Sequence, residues 1–152
     1  MITNPNPEAL ARIVINRVFN APCALVFRAW TEPQHMLKWW FCKDTECRGI
    51  EADVKVGGAL RIHMASAHGD HIVIGKYLEI VPNKRLHFSW EWEDYRMPHS
   101  TVTVEFEDLG QTTRLTLTHA GLPVRPNVPD HEYGWNTALD NFDQKLASHE
   151  IK

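Results

Sequence analysis

From Thr45 to His119 apolar and polar side chains alternate, and residues that suit turns interrupt the alternation at short intervals: Gly57-Gly58, Gly69-Asp70, Pro82-Asn83, Pro98 and Gly110. A period of two marks a strand with one face covered, so the pattern predicts an antiparallel meander with strands at 45–54, 58–65, 71–81, 85–92, 100–107 and 112–119. In four of these the apolar parity is clean: Leu60, Ile62, Met64; Leu86, Phe88, Trp90, Trp92; Val102, Val104, Phe106; and Leu115, Leu117. The other parity carries Arg61, His63, His87, Glu91, Thr103, Glu105 and Arg114, so one sheet face is wet and the other is covered.

A further β-branched segment at 11–19 adds a first strand, which makes seven, and stops at Asn20-Ala21-Pro22. Two short helices follow, at 22–30 with Val26, Phe27 and Trp30 on one side, and at 34–40 behind Thr31-Glu32-Pro33. The last element, a helix from 129 or 130 to 149, repeats Trp135, Leu139, Phe142 and Leu146 at spacings of four, three and four. At about 30 Å it is long enough to lie across the covered face.

The order of motifs resembles the START-like SRPBCC superfamily: Arg17-x-Phe19-x-Ala21-Pro22, Val26-Phe27-x-Ala29-Trp30-Thr31-x-Pro33, Trp39-Trp40, Val56-Gly57-Gly58, Pro82-x-x-Arg85-Leu86-x-Phe88-x-Trp90, Thr113-x-Leu115-x-Leu117-x-His119-x-Gly121-Leu122 and Gly134-Trp135. Within it the chain is similar to the subgroup related to the activator of the heat-shock-protein ATPase, over residues 11 to 149. The resemblance implies an α+β helix-grip fold: a seven-stranded, bent antiparallel sheet around the long carboxy-terminal helix, with a cavity between them. Members bind apolar ligands, cyclise or dehydrate polyketides, or stimulate a chaperone, so the fold leaves the activity open.

Composition narrows the classes. A length of 152 residues with 43% apolar and 23% charged side chains suits one domain spanning 1–152, with residues 1–10 as a flexible leading segment. Sixteen basic against nineteen acidic residues give a net charge of −3, which lacks the footprint of a nucleic-acid binder. No apolar run approaches the roughly 20 residues that span a bilayer, and no export signal precedes the first strand, so no membrane partner is expected. Three cysteines, Cys23, Cys42 and Cys47, fit reduced thiols and a cytoplasmic address.

Candidate chemistry gathers on the covered parity. His119 shares it with Leu115 and Leu117; it is either a structural histidine at a strand end or a polar group in a cavity. Arg17 shares the parity of Ile13, Ile15 and Phe19, and either finds an inward partner or an anionic ligand, or is released to solvent by a bulge. Glu79 is a candidate for that partner or for a cavity acid, with Tyr77 beside it. The expected ligand cavity is lined by Arg17, Leu60, Ile62, Met64, Phe88, Trp90, Trp92, Val102, Val104, Leu117 and His119 from the sheet, and by Trp135, Leu139 and Phe142 from the helix.

His63, His68, Asp70 and His71 around one hairpin lack fixed metal-ligand spacing, and Cys42 and Cys47 lack a second pair. No nucleophile elbow, phosphate loop or cofactor motif is present, so neither a metal nor a cofactor is expected. The sequence favours a binding protein for a small apolar or aromatic molecule. The alternatives are an enzyme moving protons with His119, Tyr77 and Glu79, and an interaction protein that contacts a chaperone or a second copy of the chain.

Overall fold

The computed structural model describes residues 10–41, 44–123 and 127–152; residues 1–9 of the expected leading segment and Cys42 lie outside these, and its last residue, Leu10, opens the first strand. The chain runs β1 (Leu10–Phe19), α1 (Cys23–Ala29), α2 (Pro33–Trp39), β2 (Thr45–Ala52), β3 (Ala59–Ser66), β4 (Gly69–Val81), β5 (Arg85–Ser89), β6 (Glu91–Trp92), β7 (Thr101–Asp108), β8 (Thr113–Pro123) and α3 (Asn127–Ala147). One antiparallel sheet holds all the strands in the order β1-β8-β7-β5-β4-β3-β2, with β6 as an extra pairing on β4. Its covered face wraps α3, which packs on α2, β1 and β8. This is the helix-grip arrangement.

The strand expected at 85–92 is two strands, and the reason lies in its neighbour. At Gly75 of β4 an added Cβ would stand 2.0 Å from the Ser89 carbonyl oxygen, a distance only glycine permits. The partner of β4 changes there from β5, where Tyr77 faces Phe88, to β6, where Val73 faces Trp92. The intervening Trp90 donates its backbone N–H to Ser100 O (3.0 Å), so the ladder is interrupted at this point.

The strand expected to end at His119 continues to Pro123. It passes through Gly121, whose φ of +72° suits glycine and whose Cβ position lies 1.8 Å from His99 O. His119 is therefore inside a strand and not at its end, and Gly121 marks a close crossing with residues 99–100. Helix α3 begins at Asn127, two or three residues before the expected 129 or 130; a proline in the first turn is compatible with this, because the N–H groups there have no partner within the helix. It stops at Ala147 rather than 149, because His149 takes a left-handed conformation (φ +60°) and Ile151 N–H turns back to Lys145 O. Among the described residues no helix is long and apolar enough to cross a membrane.

Candidate functional site

His119 projects from β8 into the covered layer and is fully buried. Its Nδ1 accepts a hydrogen bond from Trp135 Nε1 of α3 at 3.0 Å, and its Nε2 lies 2.7 Å from Ser100 Oγ. An indole N–H can only donate, so Nδ1 carries a lone pair; in the neutral ring the proton sits on Nε2 and is donated to Ser100. Burial, and secondarily His131, holds the imidazole pKa down to about 3. The geometry agrees independently, since protonating Nδ1 would turn the Trp135 donor against another donor.

A second pair repeats the arrangement: Trp92 Nε1 donates to His131 Nε2 at 3.1 Å, and the two histidine rings meet edge to face with centroids 5.3 Å apart. Around them runs a continuous aromatic network that contains all six tryptophans. Trp30 contacts Trp39, Trp40 and Trp135; Trp40 contacts Trp90; and Trp90 contacts Trp92 and Trp135.

Where this network reaches the end of α2, β3, the β5–β6 break and the first turns of α3, it leaves a cleft of about 40 Å³. The cleft is lined by Trp40, Phe41, Met64, Trp90, Trp92, His131, Gly134, Trp135 and Ala138. That is room for a few water molecules; pockets for drug-sized ligands run to roughly 300–1,000 Å³. Of the residues expected to line a cavity, Met64, Trp90, Trp92 and Trp135 border this cleft. Leu60, Ile62, Phe88, Val102, Val104, Leu117, Leu139 and Phe142 are buried in packed core, with Phe142 against Phe19 and Trp39. The space between sheet and helix is largely filled by side chains.

The acid–base trio is not brought together. His119 faces Val102, Val102 faces Phe88 and Phe88 faces Tyr77 along one row of the sheet. Three strand spacings, roughly 14 Å, and two apolar side chains thus separate His119 from Tyr77. Tyr77 Oη is buried without a hydrogen-bond partner among the described residues, and burial pushes its hydroxyl well above the usual phenol range. Glu79 is not a cavity acid: a bulge between Tyr77 and Glu79 turns it to the exposed face, where Arg85 Nε binds it at 2.7 Å.

Arg17 keeps its inward parity but its partner is not Glu79. Its guanidinium reaches α3, with Nη1 2.6 Å from Asp140 Oδ1, and Nη2 3.1 Å from Asn136 O and 3.0 Å from Asn136 Oδ1. It therefore clamps β1 to the helix and does not line the cleft. At the β3–β4 hairpin His63 pairs with Asp70 (2.9 Å) and His71 with Ser66 (2.8 Å). No cluster of three metal-type ligands occurs among the described residues.

The family model of Activator of Hsp90 ATPase homolog 1-like protein matches residues 20–147. The chain belongs to this family. Among solved structures, a protein from Chromobacterium violaceum is 26% identical over 88% of this chain and 94% of its own, with a TM-score of 0.81. The AHSA1 protein from Silicibacter pomeroyi is 24% identical over 91% and 99%, with a TM-score of 0.80. The AHSA1-like protein from Aeromonas hydrophila is 23% identical over 93% and 96%, with a TM-score of 0.78. No functionally curated protein matches the sequence.

Two residues of this site carry weaker signals in the sequence. Ser100 precedes Val102 by two, so its parity is inward; it is buried, its carbonyl receives Trp90 N–H and its hydroxyl meets His119. His131 lies four positions before Trp135, one turn back on the same helix face. The apolar stripe Trp135, Leu139, Phe142 and Leu146 begins one turn after it, and a histidine at the head of a stripe carries no apolar signal.

Proposed function

We propose that this chain binds a small, flat, apolar molecule in the cleft between the end of α2, β3, the β5–β6 break and the first turns of α3. The observation that carries the reading is the lining: four tryptophans, Phe41 and Met64, with no Asp, Glu, Lys or Arg side chain. Aromatic and thioether walls with few polar groups are what small-molecule sites use. At about 40 Å³ the cleft is smaller than the roughly 150 Å³ that admits a benzene ring, so binding requires side chains to move apart.

Because all six indoles belong to one network, intrinsic fluorescence reports on occupancy wherever in the cleft the molecule sits. Titration with naphthalene should quench or shift that emission. At tenfold excess over Kd it should add about 1.4 kcal/mol of stability, roughly 3–6 °C in Tm for a chain of this length. Unchanged emission and an unchanged Tm across a series of flat apolar probes would dispose of the reading.

A further inference from the structure

The sheet ends on two strands of different character, β2 at one side and β1 at the other. An edge strand leaves a row of backbone N–H and C=O groups with no strand to pair them, and proteins blunt it with outward charges, bulges or prolines. β2 follows that rule. Its exposed residues are Glu46, Arg48 and Glu51, and Arg48 Nη2 binds Glu46 Oε1 at 2.8 Å. Cys47 faces Met64 and Gly49 faces His63, so Arg48 is the extra residue of a bulge and this edge is both charged and irregular.

β1 lacks these protections. Its ten residues, about twice the commonest strand length, contain no Pro, Gly, Lys, Asp or Glu. Ala11 faces Leu122 and Ile13 faces His119, so the irregularity in its pairing is an extra residue in β8, and the β1 backbone stays regular. The exposed residues of β1 are Leu10, Arg12, Val14, Asn16 and Val18, and the three apolar ones are 48%, 56% and 52% exposed. Among the described residues no strand pairs with the far edge of β1. Beside that edge Tyr133 of α3 is 55% exposed; it stands two turns before Asp140, which Arg17 binds, and so shares the helix face turned to β1.

The exposed row is complementary to itself. With a second copy of the chain antiparallel to β1 about a two-fold axis at Val14, Leu10 stands opposite the partner's Val18, Arg12 opposite the partner's Asn16 and Val14 opposite the partner's Val14. Apolar groups then meet apolar groups. Each guanidinium meets an amide whose nitrogen already donates to Thr116 Oγ1 at 2.8 Å and whose oxygen accepts. An axis at Arg12 would set the two guanidinium groups face to face, and an axis at Asn16 would carry Leu10 and Arg12 past the end of the partner strand. An axis between two residues would turn the exposed row of one copy onto the covered face of the other. We propose that β1 is the self-association surface of this protein, and that two copies join β1 to β1 about Val14 into one continuous sheet. The proposal is independent of the binding reading, because no residue of β1 lines the cleft.

Sedimentation velocity reads the test on the native protein, Val14→Lys, Val14→Glu and an equimolar mixture of the two variants, with circular dichroism to establish folding. Val14 faces solvent in the single chain, so neither change opens a hole in the core. Between about 1 and 200 µM the native protein should pass from one chain to two. Either variant alone sets like charges opposite each other at the axis and should weaken the dimer about tenfold. The mixture sets an ammonium opposite a carboxylate and should recover the native dimer to within about threefold.

A native protein that stays monomeric over the whole range overturns the proposal and leaves the edge to a strand from another protein. A native dimer that both folded variants preserve also overturns it, because the contact is then elsewhere on the surface. If both variants lose the dimer and mixing does not bring it back, the axis does not pass through Val14 and the proposed pairing is wrong. Should one variant not fold, Val14→Ser and Val14→Asp replace the pair: the neutral change should keep most of the dimer and the charged one should lose it, and equal effects of the two overturn the proposal.

Discussion

Lowering the pH should destabilise this protein through His119 before the carboxylates titrate, and the size of the effect follows from two hydrogen bonds. The folded imidazole is neutral, with Nδ1 accepting from Trp135 and Nε2 donating to Ser100, and its pKa lies at about 3. In the unfolded chain the same group returns to its ordinary 6.5. Between these values the unfolded state binds the extra proton. The stabilisation is therefore complete above pH 6.5 and is lost as pH falls towards 3, by about 1.4 kcal/mol per pH unit once well below 6.5. From pH 7.5 to 5.0 the loss is about 2 kcal/mol.

Other groups titrate over the same range, so the measurement is a difference. Urea unfolding is followed at pH 7.5, 6.0 and 5.0 for the native protein and for His119→Gln, whose amide offers an acceptor to the indole and a donor to the hydroxyl but does not ionise. The native protein should lose about 2 kcal/mol more than the variant between pH 7.5 and 5.0. Equal losses in both would mean that His119 is protonated in the folded protein or already neutral in the unfolded one, and the tautomer assigned from Trp135 would be wrong.

Two further substitutions test the architecture. Trp135→Ala removes a buried indole, its bond to His119 and its contacts with Trp30, Trp40 and Trp90, and should cost about 3–5 kcal/mol in urea unfolding, because the space around it is packed. Gly121→Ala places a Cβ 1.8 Å from His99 O at a φ of +72°, and should cost more than about 3 kcal/mol or abolish folding, as read by circular dichroism and the thermal midpoint.

What the sequence disclosed and what it withheld divide along a physical line. Alternation at Leu60, Ile62, Met64 and at Val102, Val104, Phe106 reports which side of a strand is dry, and those residues are buried as their parity requires. Parity fails where the backbone departs from a flat strand. The bulge after Tyr77 sends Glu79 outward, and the approach of Ser89 O to Gly75 cuts one expected strand into β5 and β6. Both depend on contacts between residues far apart in sequence, which a local pattern does not contain. The partner of Arg17 was likewise out of reach: Asp140 and Asn136 lie on α3, more than a hundred residues away, and nothing in their own neighbourhood points to β1.

The aromatic layer shows a different kind of silence. An inward Trp90 reads the same whether its ring fills the core or walls a pocket, because hydrophobic periodicity reports a direction and carries no volume. Hydrogen bonds separate what periodicity cannot. A ring that only fills space has its N–H placed on an acceptor, as Trp39 does on Ala29 O and Trp135 on His119. Trp30 and Trp90 are as deeply buried and lack one among the described residues, at a cost of about 1–3 kcal/mol each that packing must offset.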